Sequence, residues 1–285
     1  LNNIDQFDSE FFNIPKEEAD LMDPQERLFL EIVWKAVEDA GYTRKGLGKY
    51  KVGVFVGAMY TQYQIIGVEE TAKGNKVAAG SFLSSIANRV SYFMDFKGPS
   101  LAVDTACSSS LESIRLACQA IQTGDCHMAV AGGVNISIHP SKYQLLCQAN
   151  FLSADGKCKS FGEGGEGYVP GEGVGAVILK SLSEALKDGD HIYAVIRGIS
   201  VNHVGKTNGY SVPNPKAESE LVIDVLRKTQ IPARSVSYIE AHSTGTFLGD
   251  LIEISGLNRA FGEFTQERGF CSIGSVKSNI GHLES

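Results

Sequence analysis

Residues Ser100 to Leu111 read Ser-Leu-Ala-Val-Asp-Thr-Ala-Cys-Ser-Ser-Ser-Leu, a short apolar run that ends at a cysteine followed by small hydroxyl residues. This order predicts a strand, a sharp turn and a helix. Leu111, Ile114, Cys118 and Ile121 follow at spacings of three and four, so the helix is expected to run to about Gln122 with that face inward. Cys107 then stands at the helix N-terminus, where unpaired N–H groups and the positive end of the helix dipole favour a thiolate. The same local pattern also suits a small buried residue at a tight turn, because free cysteine is among the most buried residue types.

The flanking segments fix what this unit folds into. Lys51 to Gly57, Ser100 to Thr105 and His127 to Val134 have the β-branched content of strands. A helix lying between two of them makes a βαβ unit, which implies a parallel sheet covered on both faces. Upstream, Asp23 is placed as an N-cap with Pro24 at the first helical position, and Leu28, Ile32, Val33 and Ala36 share one face of a helix ending at Ala40-Gly41. The glycine-rich stretch Gly162 to Gly175 carries three glutamates and feeds the apolar run Ala176 to Leu179. A phosphate-cradling loop instead follows a strand and opens a helix, so a tight loop packed against the sheet or the site is the better reading.

Downstream, His191 to Val201 is a strand candidate, and Lys216 to Lys228 is a helix with Leu221, Val222, Val225 and Leu226 on one face. Ser235 to Ala241 predicts a strand reaching His242, Leu248 to Phe261 a helix, and Phe270 to Val276 another strand. Cys107 and His242 thus occupy equivalent strand-end positions in two βαβ-like segments, an internal duplication at the level of architecture. Sites in open α/β sheets gather at the carboxyl ends of strands.

With 285 residues, 43% of them hydrophobic and 21% charged, the chain has room for one large or two coupled domains. Its formal charge of −7 argues against a general nucleic-acid binder. The cysteines are scattered, with no C-x-x-C pair and no histidine at zinc-ligand spacing, so reduced thiols in a cytoplasmic protein and no metal site are expected. Apolar runs such as Gly173 to Leu179 are too short to span a bilayer, and no N-terminal signal is evident. The chain begins at Leu1 and ends at Ser285 directly after a motif, and is read as truncated at both ends.

Three ordered motifs carry a family resemblance. Asp104-Thr105-Ala106-Cys107-Ser108-Ser109-Ser110-Leu111 resembles the active-site cysteine motif of the β-ketoacyl synthase domains of modular polyketide synthases, which are thiolase-like condensing enzymes. Glu240-Ala241-His242-Ser243-Thr244-Gly245-Thr246 is similar to their first histidine motif, and Val276-Lys277-Ser278-Asn279-Ile280-Gly281-His282-Leu283 to their second. Asp23-Pro24-Gln25-Glu26-Arg27, Glu38-Asp39-Ala40-Gly41-Tyr42 and Gly171-Glu172-Gly173 match as well. The resemblance implies an α/β fold of layered α/β/α/β/α type with an internal duplication. A half of about 1–170 would carry the cysteine, and a half of about 171–285 the two histidines.

It also implies a function. Cys107 would accept an acyl chain as a thioester from the phosphopantetheine arm of an acyl carrier protein. A malonyl-type thioester on a second carrier would lose carbon dioxide, and the enolate would attack the acyl-Cys107 carbon while His242 and His282 hydrogen-bond to its oxygen. By the same analogy Lys277 organises the histidine region, and Thr244 and Thr246 contact the pantetheine arm. No cofactor bound to the domain itself is implied. Homodimerisation and the other modules of a synthase are the expected associations, and Tyr168 to Gly173 with Gly57-Ala58-Met59 look like synthases served by a trans-acting acyltransferase.

Two positions depart from the family pattern. Ser243 stands where glycine usually follows the first histidine, and Leu251 where proline usually follows Gly249-Asp250. A non-elongating synthase that only transfers acyl groups, and a carrier-docking scaffold, therefore remain alternatives, as does a Cys-His hydrolase on residue chemistry alone. Lys277 also suits a structural charge, and Thr244 and Thr246 a glycine-containing turn. His127, His139, His191 and His203 are read as structural. The resemblance places a further glycine-rich segment after Ser285, so residues 1–285 alone are expected not to condense; detectable condensation by that stretch would refute this.

Overall fold

A computed structural model describes residues 1–209 and 212–285. In chain order the elements are α1 (Lys16–Leu21), α2 (Pro24–Asp39), α3 (Arg44–Leu47), β1 (Val52–Gly57), α4 (Tyr63–Ala72), α5 (Leu83–Met94), β2 (Ser100–Val103), α6 (Ser109–Thr123) and β3 (Met128–Asn135). They continue with α7 (Ser141–Gln148), β4 (Gly173–Lys180), α8 (Leu182–Asp188), α9 (Pro215–Thr229), β5 (Tyr238–Glu240), α10 (Phe247–Gly262), β6 (Ser272–Gly274) and α11 (Lys277–Ile280).

The chain divides into two compact units. Unit 1 holds Leu1–Lys142, Glu172–Val195 and Glu284–Ser285, and unit 2 holds Tyr143–Gly171 and Ile196–Leu283. The units interleave along the chain, because the pairing of β3 with β4 draws residues 173–180 into unit 1.

Unit 1 is built on a sheet of order β2-β1-β3-β4. β1 runs parallel to β2, with Gly57 opposite Val103, and parallel to β3, with Gly57 opposite Gly133. β4 is antiparallel to β3, with Met128 opposite Lys180. The sheet is therefore mixed rather than parallel, since β4 belongs to neither βαβ crossover. Alternation along the strands sends Val54, Val56, Val130 and Val134 to one face, where Phe29, Leu30, Val33 and Val37 of α2 and Ile86, Val90 and Met94 of α5 cover them. Phe55, Ala129 and Ala131 face the other way, against Ala117 and Ala120 of α6. Unit 1 thus has helices on both faces of its sheet.

Asp23 caps α2 as expected, its side chain accepting the Gln25 N–H at 2.9 Å, with Pro24 at the first position. Two helix faces differ from expectation. In α2 the buried stripe is Phe29, Leu30, Val33 and Val37, so of the expected residues only Val33 is buried. In α6 the buried residues are Ser109, Ser113, Ala117 and Ala120, while Leu111 is 65% exposed. Ile114 and Ile121 of the expected face are partly buried against the same cluster, while the closest seat of α6 on the sheet is taken by small side chains.

Unit 2 repeats the strand–turn–helix theme. β5 and β6 pair in parallel, Tyr238 opposite Ser272 and Glu240 opposite Gly274, with α10 between them in sequence as α6 lies between β2 and β3. α9 packs on α10 and buries Ala217, Ser219, Ile223 and Leu226; of the face expected from sequence only Leu226 is fully buried. Residues 191–201 form no strand. Tyr193, Val195, Ile196 and Val201 are exposed, and no neighbouring strand among the described residues pairs with this backbone.

A buried charge network closes unit 1. The Lys142 ammonium, fully buried, pairs with the Glu284 carboxylate, donates to Asn135 Oδ1 at 3.0 Å and lies 4.3 Å from the Tyr60 ring centroid. Tyr60 Oη donates to Glu284 Oε1 at 3.1 Å, and Asn135 Nδ2 donates to Glu284 Oε2 at 3.1 Å. Burial pushes the Lys142 amine below its ordinary pKa while Glu284 opposes that shift. Removing one partner strands the other charge, so Lys142→Ala is expected to cost about 3–5 kcal/mol in urea unfolding. Pairing it with Glu284→Gln should recover part of the loss, and equal stability of Lys142→Ala and the unsubstituted chain would contradict the network.

Candidate active site

Cys107 sits where the sequence places it, between β2 and α6, two residues before the helix begins. The turn is sharp because Ala106 is left-handed, at φ +54°, an unfavourable conformation for an L-residue with a side chain. A local web of hydroxyls holds it. Ser109 Oγ donates to the Ala106 carbonyl at 2.6 Å and accepts the Thr105 N–H at 3.0 Å, while Ser108 Oγ donates to the Thr105 carbonyl at 2.9 Å. Two glycines let the start of α6 approach the strand ends: a Cβ on Gly57 would fall 2.6 Å from the Ser110 nitrogen, and one on Gly133 2.0 Å from Ser110 Oγ. The result is an exposed cysteine at a rigid strand–helix junction; the alternative of a buried turn residue fails on that exposure.

In unit 2 the structure brings the two histidines together. His242 follows β5, and the His242 and His282 rings lie edge to face with centroids 5.4 Å apart. His282 is 4% exposed, with the Tyr168 ring 5.0 Å away. Its backbone is pinned on both sides, the His282 N–H donating to the Val169 carbonyl at 2.8 Å and the Gly171 N–H donating to the His282 carbonyl at 2.7 Å. The glycine-rich stretch is thus a tight loop against the second histidine motif. A Cβ on Gly171 would fall 2.7 Å from the Ile280 carbonyl oxygen, and Gly281, at φ +76°, packs as closely on the Val169 carbonyl.

The His242 pKa is lowered, chiefly by burial of the ring among protein atoms and next by the Lys277 ammonium, against the raising influence of Glu253 and Asp250. Part of the residue still reaches the surface, so the ring is crowded yet approachable. A neutral imidazole at pH 7 follows, with one N–H to donate and one nitrogen to accept. Lys277 opens α11 and acts on His242 through its charge. Thr246 is the N-cap residue of α10, and the Thr244 and Thr246 hydroxyls stand 3.5 Å apart.

Glu253 and Asp250 hold the loop that carries His242, and motif reading did not single them out. Glu253 accepts the His242 N–H on Oε1 at 2.7 Å and the Ser243 N–H on Oε2 at 2.8 Å, clamping the loop on a carboxylate from α10. The only sequence signal is their three-residue spacing in the first turns of α10, which puts both on one helical face. Among the described residues no group of histidine, cysteine, aspartate and glutamate side chains is arranged to hold a metal ion, and no helix is long and apolar enough to cross a membrane.

Residues 1–185 match the family model for the β-ketoacyl synthase N-terminal domain, and residues 193–285 that for the β-ketoacyl synthase C-terminal domain. The chain is 57% identical over 292 residues to polyketide synthase PksL of Bacillus subtilis, covering 100% of this chain and 6% of that protein. It is 54% identical over 286 residues to polyketide synthase ThaG of Burkholderia thailandensis, covering 100% of this chain and 5% of that one. Among solved structures, the oxazolomycin ketosynthase domain OzmH KS7 of Streptomyces albus JA3453 superposes with a TM-score of 0.97 at 54% identity, covering 100% of this chain and 49% of the other. The ketosynthase from module 6 of the bacillaene synthase of Bacillus subtilis 168 gives 0.93 at 45%, with 100% and 49% covered. The chain therefore spans about half the length of the solved ketosynthases it matches, and shares their α/β fold.

The electrostatics give a direct check. His242 is expected to titrate below 6.5 in an NMR titration, and Lys277→Ala to move its midpoint upward, because the lowering charge is gone. A midpoint that ignores Lys277→Ala would contradict the assignment.

Proposed function

We propose that this chain, which belongs to the β-ketoacyl synthase family, extends an acyl group held as a thioester on Cys107 by decarboxylative Claisen condensation with a malonyl-type unit in polyketide biosynthesis. The observation that carries the proposal is the edge-to-face pair of His242 and His282, two imidazoles 5.4 Å apart in one unit of a thiolase-like fold that carries an exposed cysteine at a strand–helix turn.

The Cys107 sulfur displaces the carrier thiol, forming one thioester as another breaks. Loss of carbon dioxide from the malonyl thioester leaves its electron pair in an enolate. The enolate carbon bonds to the acyl carbon, and the Cys107–acyl bond breaks to release the thiolate. His242 and His282 donate hydrogen bonds to the enolate oxygen, and donors already in place when charge develops are worth most. A neutral His242 keeps a donor available without a competing positive charge on the ring, and Lys277 supports that state. Both histidines are present, which favours elongation over mere acyl transfer.

The substrates would arrive on the phosphopantetheine of acyl carrier protein domains, with Thr244 and Thr246 contacting the pantetheine arm; no cofactor held by the domain is needed. The domain would act as a homodimer in the cytoplasm, beside other modules of a polyketide synthase and served by a trans-acting acyltransferase. The great length of the polyketide synthases it resembles supports the modular setting.

Intact-protein mass spectrometry of the intact synthase carrying this domain, supplied with acyl- and malonyl-loaded carriers, tests the proposal. Cys107 should take up the acyl group and a ketoacyl chain longer by one extender unit should appear, whereas Cys107→Ala should take up none. His242→Ala should slow condensation by roughly a hundredfold or more. Acylation of Cys107 without chain growth would mean transfer only, and carrier binding without acylation would mean a docking scaffold.

A further inference from the structure

Ser243 occupies a backbone conformation that glycine adopts more readily, and its own side chain shows how it is held there. Its φ is +20° and it is 1% exposed. The hydroxyl donates to Asp250 Oδ2 at 2.9 Å. The N–H donates to Glu253 Oε2 at 2.8 Å, and the carbonyl accepts Ser160 Oγ at 2.7 Å and Ser275 Oγ at 3.4 Å. Asp250 Oδ2 also accepts the N–H of Phe161 at 2.7 Å, and Phe161 is itself left-handed at φ +56°. One buried carboxylate oxygen therefore anchors two non-glycine residues at positive φ, while Asp250 Oδ1 has no hydrogen-bond partner among the described residues.

The two carboxylates of α10 do different jobs. Glu253 grips two consecutive amides, and Ser160 and Ser275 hold the Ser243 carbonyl, so the backbone is tied on both sides of the residue. The Ser243 hydroxyl on Asp250 adds the anchor that the serine side chain itself supplies, one residue from the imidazole of His242.

We propose that Ser243 is a positioning residue for His242: its hydroxyl, fixed on Asp250, holds the backbone from which the His242 ring projects and so serves the condensation half of the reaction. This rests on the condensation reading above. The serine side chain is turned into the protein and bonded there, so it acts through backbone geometry and touches no substrate.

The test uses the intact synthase carrying this domain, with Ser243→Ala and Ser243→Gly, and measures acylation of Cys107, condensation and the His242 titration separately. Ser243→Ala keeps the Cβ penalty and loses the anchor, so condensation should fall roughly tenfold or more while acylation keeps its rate. Ser243→Gly loses the anchor but adopts positive φ freely, and should lie between Ser243→Ala and the unsubstituted enzyme. The His242 midpoint, set first by burial of the ring and then by Lys277, Glu253 and Asp250 around it, should shift in Ser243→Ala as the ring loses its fixed place. Unchanged condensation and midpoint in Ser243→Ala would overturn the proposal. So would a slower Ser243→Gly than Ser243→Ala, which is the order expected if Ser243 merely fills space. If the unsubstituted enzyme acylates Cys107 without condensing, the condensation reading fails, and the His242 midpoint alone decides the role of Ser243.

Discussion

The structure of unit 1 depends on how closely the start of α6 approaches the backbone at the ends of β1 and β3. Ser109 and Ser113 are fully buried, and neither Gly57 nor Gly133 has room for a Cβ against Ser109 and Ser110. Interiors packed at this density transmit any added volume to their neighbours, so the small residues of the cysteine motif and the distant glycines form one steric agreement. Its consequence is local. With the helix start fixed from below, the turn has to close through a left-handed Ala106, and Cys107 is presented at the junction with its side chain exposed.

Unit 2 solves a related problem with charge instead of steric contact. The segment after β5 has no regular structure to hold it, so Asp250 and Glu253 from the first turns of α10 hydrogen-bond its backbone and its serine. Opposite, the Val169 to Gly171 backbone pins His282. The histidines are thus carried by residues whose own partners are fixed, as a preorganised hydrogen-bonding pair requires.

Much of this was legible in the sequence because it followed from local rules. The N-cap Asp23, the strands around β1 and β3, the helix after Cys107 and the glycine-rich run leading into β4 all came from pattern and turn chemistry. What was not legible came from packing partners far away in the chain. The inner face of α6 carries serine and alanine where a hydrophobicity pattern points to Leu111, and the inner face of α2 is rotated by about one residue, or roughly 100°. Residues 191–201 have a strand's composition but no neighbour to pair with among the described residues. Cys107, His242 and His282 were singled out through motifs; Asp250, Glu253 and the Lys142–Glu284 pair were not, because hydrogen-bond and charge partners leave no periodic trace.

These arrangements assign separate tasks to separate groups. On the proposed function, Cys107 would owe its reactivity to its place before α6, and the histidines would act on the enolate and not on the thiol. The most direct measurement is the single-turnover rate at which a doubly substituted His242→Ala, His282→Ala enzyme acylates Cys107 from an acyl-loaded carrier. The account predicts a rate within a few-fold of the unsubstituted enzyme, with condensation absent. A collapse of acylation in parallel with condensation would show that a histidine activates the thiol, and would contradict it.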